Sequence, residues 1–544
     1  MKGSAGGGTT TNRLSMAAQE RSAPPRGVRQ LARLASCLLC LIAYPALAQT
    51  QLGQDIDGGA GLNEWFGTSI SLSALGTRVA IGGHEATNPS NGLQAGIARV
   101  YDYDGSAWVL MGQAIYGSAA GDALGAGASV ALSAGGGRLA VGAPHDPFFL
   151  AAGYARVFEW DGLDWAQMGA DVVGELNDDD HSGWSVSLSA SGTRLAVGAH
   201  FSNATGAQSG RARIYQWDGS AWLLMGQPIE GEAAGDGFGA RVSLSSTGNR
   251  IAISGFHNDG GGASSGHVRV YEWNGNAWNQ LGLDIDGGSV GEWFGYSLSL
   301  SGAGTRVAIG APRNDAGGGD AGEVSVYEWN GTAWNPLGLA ISGIAAGHQW
   351  GFSVSISSDG KRVAAGAPRG TLVSGYTREF EWDGTAWVQL GVDIPGEALG
   401  DQSGSAVSLS QNGARLAIGA PGNAGFKLAG EFDGHARVYE MIEADSTVSA
   451  PTAGPAQLRL ERISPNPARR IDLTIELSLP TNDDARLELL DLQGRRVVMN
   501  AIHPSAAGRL ASRLVSGKVV APGLYWVRLT QGRSQATKQV VVLE

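Results

Sequence analysis

Six basic side chains stand just past the same recurring short strand: His145, His257, Arg313 and Arg369 at equivalent positions, with His84 and His200 one place earlier. A second set of connections adds His181, His348, the run Asp178-Asp179-Asp180, Asp236, Glu292 and Asp401. Imidazoles and carboxylates gathered near one opening have the chemistry to hold a metal, an anion or a sugar. No metal-ligand spacing repeats within any loop, and no Gly-x-Ser-x-Gly, His-Glu-x-x-His or phosphate-loop pattern is present. Glycoside cleavage needs two carboxylates at a set separation. Most acidic residues here are borne by the repeat, as in Glu159-Trp-Asp-Gly162, and Asp178–Asp180 is the best exception. These residues are therefore expected to form a ligand face, with no catalytic residue, metal or cofactor assigned. The competing reading is ordinary solvent-facing loop polarity.

The elements that would carry this face are repeats. Ser185-Val-Ser-Leu-Ser-Ala-Ser-Gly-Thr-Arg-Leu-Ala-Val-Gly-Ala199 returns with small changes from Ser69, Ser129, Arg241, Ser297, Ser353 and Ala406. Small polar residues alternate with aliphatic ones, the period of a half-buried strand. Tryptophans of a Trp-x-x-(Met/Leu)-Gly motif stand at 108, 165, 222, 278, 334 and 387. That period marks a repeat architecture. Four segments recur in each period, exemplified by A (Phe294–Ser301), B (Arg306–Pro312), C (Val324–Trp329) and D (Ala333–Ile341). Four short strands per period predict a propeller blade.

Every C-to-D connection carries Asp-Gly or Asn-Gly, from Asp104-Gly105 to Asp383-Gly384. These pairs predict two-residue type I′ hairpins. That register sets Tyr101 opposite Trp108, Phe158 opposite Trp165 and Tyr271 opposite Trp278, so the tryptophans are read as packing rather than as a sugar platform. The chain is out of phase with its blades: it opens on a D segment, Gln51–Ile56, and leaves the array on a C segment, Ala436–Glu440. The strand at 51–57 is therefore expected to complete the last blade and close the ring. In such a ring the A–B and C–D turns share one face. The B–C loops and D-to-A connections share the other, where loops of varied length house binding.

Phe-Gly at 66–67, 238–239 and 294–295, with Gly-Ala-Pro at 142–144, 310–312, 366–368 and 419–421, resembles the FG-GAP repeat of integrin α-subunit propellers over residues 51–443. The resemblance implies seven blades. Calcium-binding members carry an Asp-x-Asp-x-Asp-Gly loop between A and B. Here those turns read Ala74–Thr77, Ala190–Thr193 and Ser358–Lys361, so calcium is open but the integrin-type site is not carried over. Past a polar linker at 444–456, residues 457–544 read as short alternating strands of a small β-sandwich. Four motifs in order resemble the C-terminal sorting domain of the bacterial type IX secretion system. They are Pro465-Asn466-Pro467, the run to Gly494 in Leu487–Val497, Gly523-Leu-Tyr525, and Lys538-Gln-Val-Val541. The resemblance implies an address for crossing the outer membrane of a Gram-negative, Bacteroidetes-like cell, and secretion machinery as a partner.

Composition agrees with an exported all-β chain. The 85 glycines lack collagen's spacing and imply many tight turns. Residues 49–456 carry 19 basic and 41 acidic side chains, which excludes the basic footprint of a nucleic-acid binder. Residues 1–48 show a basic approach, an apolar run Leu34–Ala43 and Ala46-Leu47-Ala48 before Gln49, the layout of a signal peptide cut between Ala48 and Gln49. The run is too short for a permanent anchor, so no transmembrane segment is expected in the mature chain. Cys37 in Leu34–Cys37 resembles a lipoprotein box, but at the start of the apolar run rather than after it; translation from Met16 is as consistent as from Met1. The expectation is an all-β protein, a seven-bladed propeller (49–443) followed by a small C-terminal β-sandwich, exported, non-catalytic, binding protein or glycan. A polymer-degrading propeller enzyme and a structural surface-layer component are the alternatives.

Overall fold

The computed structural model describes residues 48–59, 64–88, 90, 92–144, 152–175, 180–370, 374–423 and 433–442. In the C-terminal portion it describes 458–464, 472–481, 483–491, 493–502, 508–515, 521, 523–532 and 534–542. Every regular element among them is a β-strand. The alternation seen in sequence becomes burial: in Ser297–Leu300, Leu298 and Leu300 are buried while Ser299 is only partly so. Strand B is instead buried on both faces, as in Arg306–Ala311, where Val307, Ala308 and Ile309 are all inaccessible. A near-continuous apolar run is what a strand sandwiched between two neighbouring sheets requires.

Seven antiparallel sheets of this kind are built between residues 48 and 442. Their innermost A strands follow one another around a ring: Ser69–Leu72, Val130–Leu132, Ser185–Leu188, Arg241–Leu244, Ser297–Leu300, Ser353–Ile356 and Ala406–Leu409, the last packing back on the first. In the seventh sheet the outer strand comes from the other end of the chain. Ala48–Gln51 and Ile56–Asp57 both pair antiparallel with His435–Ile442. The fold is a closed β-propeller.

The recurring residues are the seams between blades. Each repeat tryptophan donates its indole N–H to a backbone carbonyl of the preceding blade: Trp165 to Met111 at 3.1 Å, Trp278 to Met225 at 2.9 Å, Trp334 to Leu281 at 2.8 Å. Trp108 does the same to Leu52 at 2.8 Å, so the first blade grips the N-terminal strand as any other D strand is gripped. In six of the seven blades the arginine that opens strand B bonds its own blade's C-strand acid, Gln216 standing there in the third, and it reaches onward. Arg306 contacts Glu328 at 2.7 Å and the Gly360 carbonyl of the next A–B turn at 3.1 Å. The second serine of strand A accepts from the next blade's backbone, as Ser299 does from Ile356 N–H at 3.2 Å and Ser408 from Leu72 N–H at 3.0 Å.

The Phe-Gly and Gly-Ala-Pro glycines meet across the same seams. A Cβ placed on Gly310 would lie 2.0 Å from the Gly351 carbonyl oxygen, and one on Gly419 the same 2.0 Å from that of Gly67. Backbones approach too closely there for any side chain. Gly419 belongs to the last blade and Gly67 to the first, so the closing seam is built like the others.

The C-to-D turns differ from the expectation. The pairs across them are Tyr103↔Trp108, Trp160↔Trp165 and Trp273↔Trp278, two residues out of the predicted register. Four residues, not two, make each turn: Asp161 N–H donates to the Asp164 carbonyl at 3.1 Å, and only the glycine takes positive φ (Gly162, 107°). The reason is the aspartate side chain, whose Oδ1 accepts from the N–H groups of Leu163 and Asp164 at 2.8 Å each. Such an Asx turn holds the wider loop. The tryptophan partners are consequently tyrosine or tryptophan, with ring centroids 5.1 Å apart for Tyr103–Trp108 and 5.4 Å for Trp160–Trp165.

The C-terminal portion is a sandwich of two antiparallel sheets, one of three strands and one of four. Leu473, Ile475, Leu477 and Leu479 of the first sheet share a core with Leu487, Leu489, Val527, Leu529 and Val540 of the second. Of its motif residues, Gly494 takes φ 76° in a turn where Asp491 Oδ1 accepts from the N–H groups of Gln493 and Arg495, each at 2.9 Å. Tyr525 is buried with its hydroxyl on the Ala521 carbonyl at 2.7 Å. Gly523 opens that strand, and Lys538 lies opposite Val527 on the last one. Pro465, Asn466 and Pro467 lie outside the described residues, as do the leader up to Leu47 and the linker. No helix of the described residues is long and apolar enough to cross a membrane.

Candidate functional site

The A strands line a channel whose two ends differ. At the A–B turns, seven backbone hydrogen bonds run head to tail. Ala74 N–H donates to Ala134, Ala134 to Ala190, Ala190 to Ser246, Ser246 to Gly302, Gly302 to Ser358, Ser358 to Gln411, and Gln411 back to Ala74, all within 2.8–3.0 Å. The ring encircles a cavity of only 120 Å³. The shaft above it holds 240 Å³, edged by the serines of the A strands. At the opposite end, on the face of the B–C loops and D-to-A connections, the channel opens into a cavity of 340 Å³. Trp65, Trp184, Tyr296 and Phe352 wall it, with Thr68, His84, Glu85, Gln94, Arg241, Gln402 and Ser405 between them.

Two local features shape the rim of this mouth, the first placing Trp65, Ala123 and Gln402 in its lining. The residue just before the Phe-Gly position takes left-handed φ in every blade: Trp65 52°, Ala123 50°, His181 51°, Gly237 63°, Trp293 59°, Gln349 57° and Gln402 55°. Six of these seven are not glycine, a cost that persists only where surroundings over-determine it. The residue just after that glycine faces the opening, and here the repeat varies most, with Thr68, Trp184, Tyr296, Phe352 and Ser405. An aromatic arc results: Trp293 stacks on Tyr296 (5.8 Å, 14°), and Tyr296 meets Phe352 at 4.9 Å.

The sequence-predicted residues divide around the arc. His84 lines the mouth, its Nδ1 3.2 Å from Thr68 Oγ1 and its Nε2 3.6 Å from Glu85. His200 is buried, its ring 4.7 Å from Trp184; burial and the neighbouring His181 and Arg241 hold its pKa far below the ordinary imidazole value. His257 packs 5.6 Å from Trp293 and is also lowered, by burial and by Arg313. Arg313 lies 3.5 Å over the Trp293 ring. Arg369 is exposed on its loop. His145, Asp178 and Asp179 lie outside the described residues. Asp180 is buried, accepting from the N–H groups of Glu175 and Ser182 at 3.2 Å each. Asp236 and Asp401 cap their own D-to-A turns in the same way, at 2.8 Å from Ala233 N–H and 2.7 Å from Ala398 N–H. These carboxylates hold connections in shape.

The residue that sequence reading passed over is Arg241. It occupies the place of Ser69, Ser185, Ser297 and Ser353, whose hydroxyls bond neighbouring backbone at 2.7–3.0 Å. Its guanidinium donates to the Ala240 carbonyl at 2.9 Å and lies 5.3 Å over the Tyr296 ring. No carboxylate pairs with it among the described residues. A break in a serine column was the available signal, but on a strand rather than in a loop.

Comparisons with known proteins bear on the two portions separately. Residues 462–543 match the secretion system C-terminal sorting domain. That domain marks chains which the type IX system of Bacteroidetes delivers to the cell surface or beyond. This protein is exported. Its C-terminal domain engages the secretion machinery. No curated protein matches the chain. It is similar to a crystal structure described as a "putative 6-phosphogluconolactonase" from Bacteroides uniformis, at 13% identity and TM-score 0.43, covering 61% of this chain and 85% of that one. The expectation of a non-catalytic protein is corrected by this finding, since the similar structure carries an enzyme's description. A likeness that remote assigns no reaction to this chain.

Proposed function

We propose that this exported propeller, of FG-GAP type in its repeats, binds an extracellular glycan at the 340 Å³ mouth of its channel. One observation carries the reading: the mouth is a concave, aromatic-walled cavity, while the other end of the same channel is closed by backbone hydrogen bonds. Flat aromatic faces beside hydroxyl and amide side chains suit the alternating apolar and polar surfaces of a sugar ring. The volume lies at the small end of the roughly 300–1,000 Å³ typical of small-molecule sites, which favours a glycan terminus over a protein surface. The test is a glycan and surface-protein binding screen of the exported protein, with and without chelator. Glycan binding abolished by Trp184→Ala and Tyr296→Ala supports the reading. Binding only to proteins, or unchanged in both variants, overturns it.

A further inference from the structure

We infer that the glycan is acidic, and that Arg241 receives its anionic group at the boundary between mouth and shaft. The inference rests on the mouth being the glycan site. Arg241 borders both cavities, together with Thr68, Phe352 and Ser405, so its guanidinium stands where a ligand entering the mouth would end.

Charge makes the case. A guanidinium carries five N–H donors and stays ionised in proteins. Arg241 commits one nitrogen to a neighbouring carbonyl and one face to Tyr296. Arginines on the C strands of the blades are matched: Arg99 with Glu64 at 2.9 Å, Arg378 with Asp393 at 2.8 Å, Arg156 with Asp171 at 2.7 Å. A partly buried cation without a carboxylate is expensive unless something supplies the missing charge. The acid that lines the mouth, Glu85, is engaged by Gln94 at 2.8 Å and faces His84. The histidines nearest the arc, His200 and His257, are held neutral by burial. Arg241 is thus the fixed positive charge of the cavity among the described residues.

Geometry supplies the rest. A planar guanidinium matches a carboxylate or sulfate oxygen pair in a two-bond fork. The Tyr296 ring beside it, with Phe352 at 4.9 Å, offers a stacking surface for the ring that carries the anion. A uronate carboxylate and a sulfate ester present the same chemistry, and both are arms of the test.

Titration calorimetry of the full exported protein would compare a galacturonic acid tetrasaccharide, a sulfated galactan oligosaccharide of equal length and the neutral galactose tetrasaccharide. The acidic probes are expected to bind at least tenfold more tightly than the neutral one. Arg241→Ser, which installs the residue found in five of the six sister blades, is expected to bring the acidic probes down to the affinity of the neutral one without lowering the melting temperature. A preference that survives Arg241→Ser overturns the role of Arg241. Equal affinity for neutral and acidic probes overturns the acidic ligand but leaves the glycan site standing. No binding in any arm overturns both. The tighter of the two acidic probes identifies the anion.

Discussion

The two ends of the channel are made by the same seven blades and have opposite characters. At the A–B end each blade contributes the same thing, one N–H and one C=O, and the bonds close into a ring that depends on no side chain. At the mouth the blades differ: threonine, tryptophan, tyrosine, phenylalanine or serine follows the same glycine in five of them and alanine in two, and one arginine stands in a column of five serines and an alanine. A repeat protein holds its geometry with what recurs and recognises with what does not. That contrast also sorts the acidic residues. The C-strand glutamates and the D-to-A aspartates recur and have structural partners, which leaves the cavity's one unmatched charge positive.

The largest way to break this contrast is to remove the strand that completes the ring. Deleting residues 48–57 strips the outer strand from the last blade and leaves Trp108 without its Leu52 acceptor. The expected outcome is loss of the cooperative thermal transition, followed by circular dichroism, because the exposed C strand becomes an open edge. Next in size is Gly310→Ala, which forces a methyl into the Gly351 carbonyl. It should cost about 3 kcal/mol or more in chemical denaturation, at or beyond the usual range for overpacking.

A third test concerns the one blade position where a charge replaces a recurring aliphatic. Glu379 stands where other blades have Val100, Val157, Val270, Val326 and Val438; it is fully buried, and burial raises its pKa to about 8. The raised folded value means that the neutral acid is the form the fold accepts. Stability is therefore complete below the ordinary carboxyl value of 4.5 and falls as pH rises toward about 8. Glu379→Val should flatten that slope and raise the midpoint of unfolding at pH 8, measured by urea titrations across pH. An unchanged slope would show that another group carries it.

The smallest effects sharpen the comparison. Ser299→Ala removes one seam hydrogen bond to Ile356 and should cost about 1 kcal/mol. Arg241→Ser, on the mouth side, removes a partly buried cation that no carboxylate matches and should not lower stability. If the arginine proved the more costly loss, it would belong to the scaffold rather than to the site.

Much of the scaffold was legible before any coordinates. Period-2 alternation, glycine spacing and the recurring tryptophan identify short strands in blades, because each is a local consequence of backbone geometry and burial. Even the D segment at the N-terminus announced itself, since Gln51-Leu-Gly carries the motif that Trp108 then grips. The C-to-D register was missed for a local reason of another kind. Asp-Gly admits both a two-residue turn and a wider Asx turn, and the aspartate's bonds to the N–H groups two and three residues on select the second. In the sandwich, Arg459–Ser464 carries charge at three of its six positions, which dilutes its alternation.

The sequence by itself determined that this chain folds into repeated antiparallel blades, ends in a sorting domain and leaves the cell, for those facts are written in neighbouring residues. Only the tertiary structure decided which end of the channel is open and which side chains meet there. Arg241, Tyr296, Phe352 and Trp65 lie on different blades, and nothing local marks them as neighbours. They converge because the ring closes, and closure is a property of all seven seams at once.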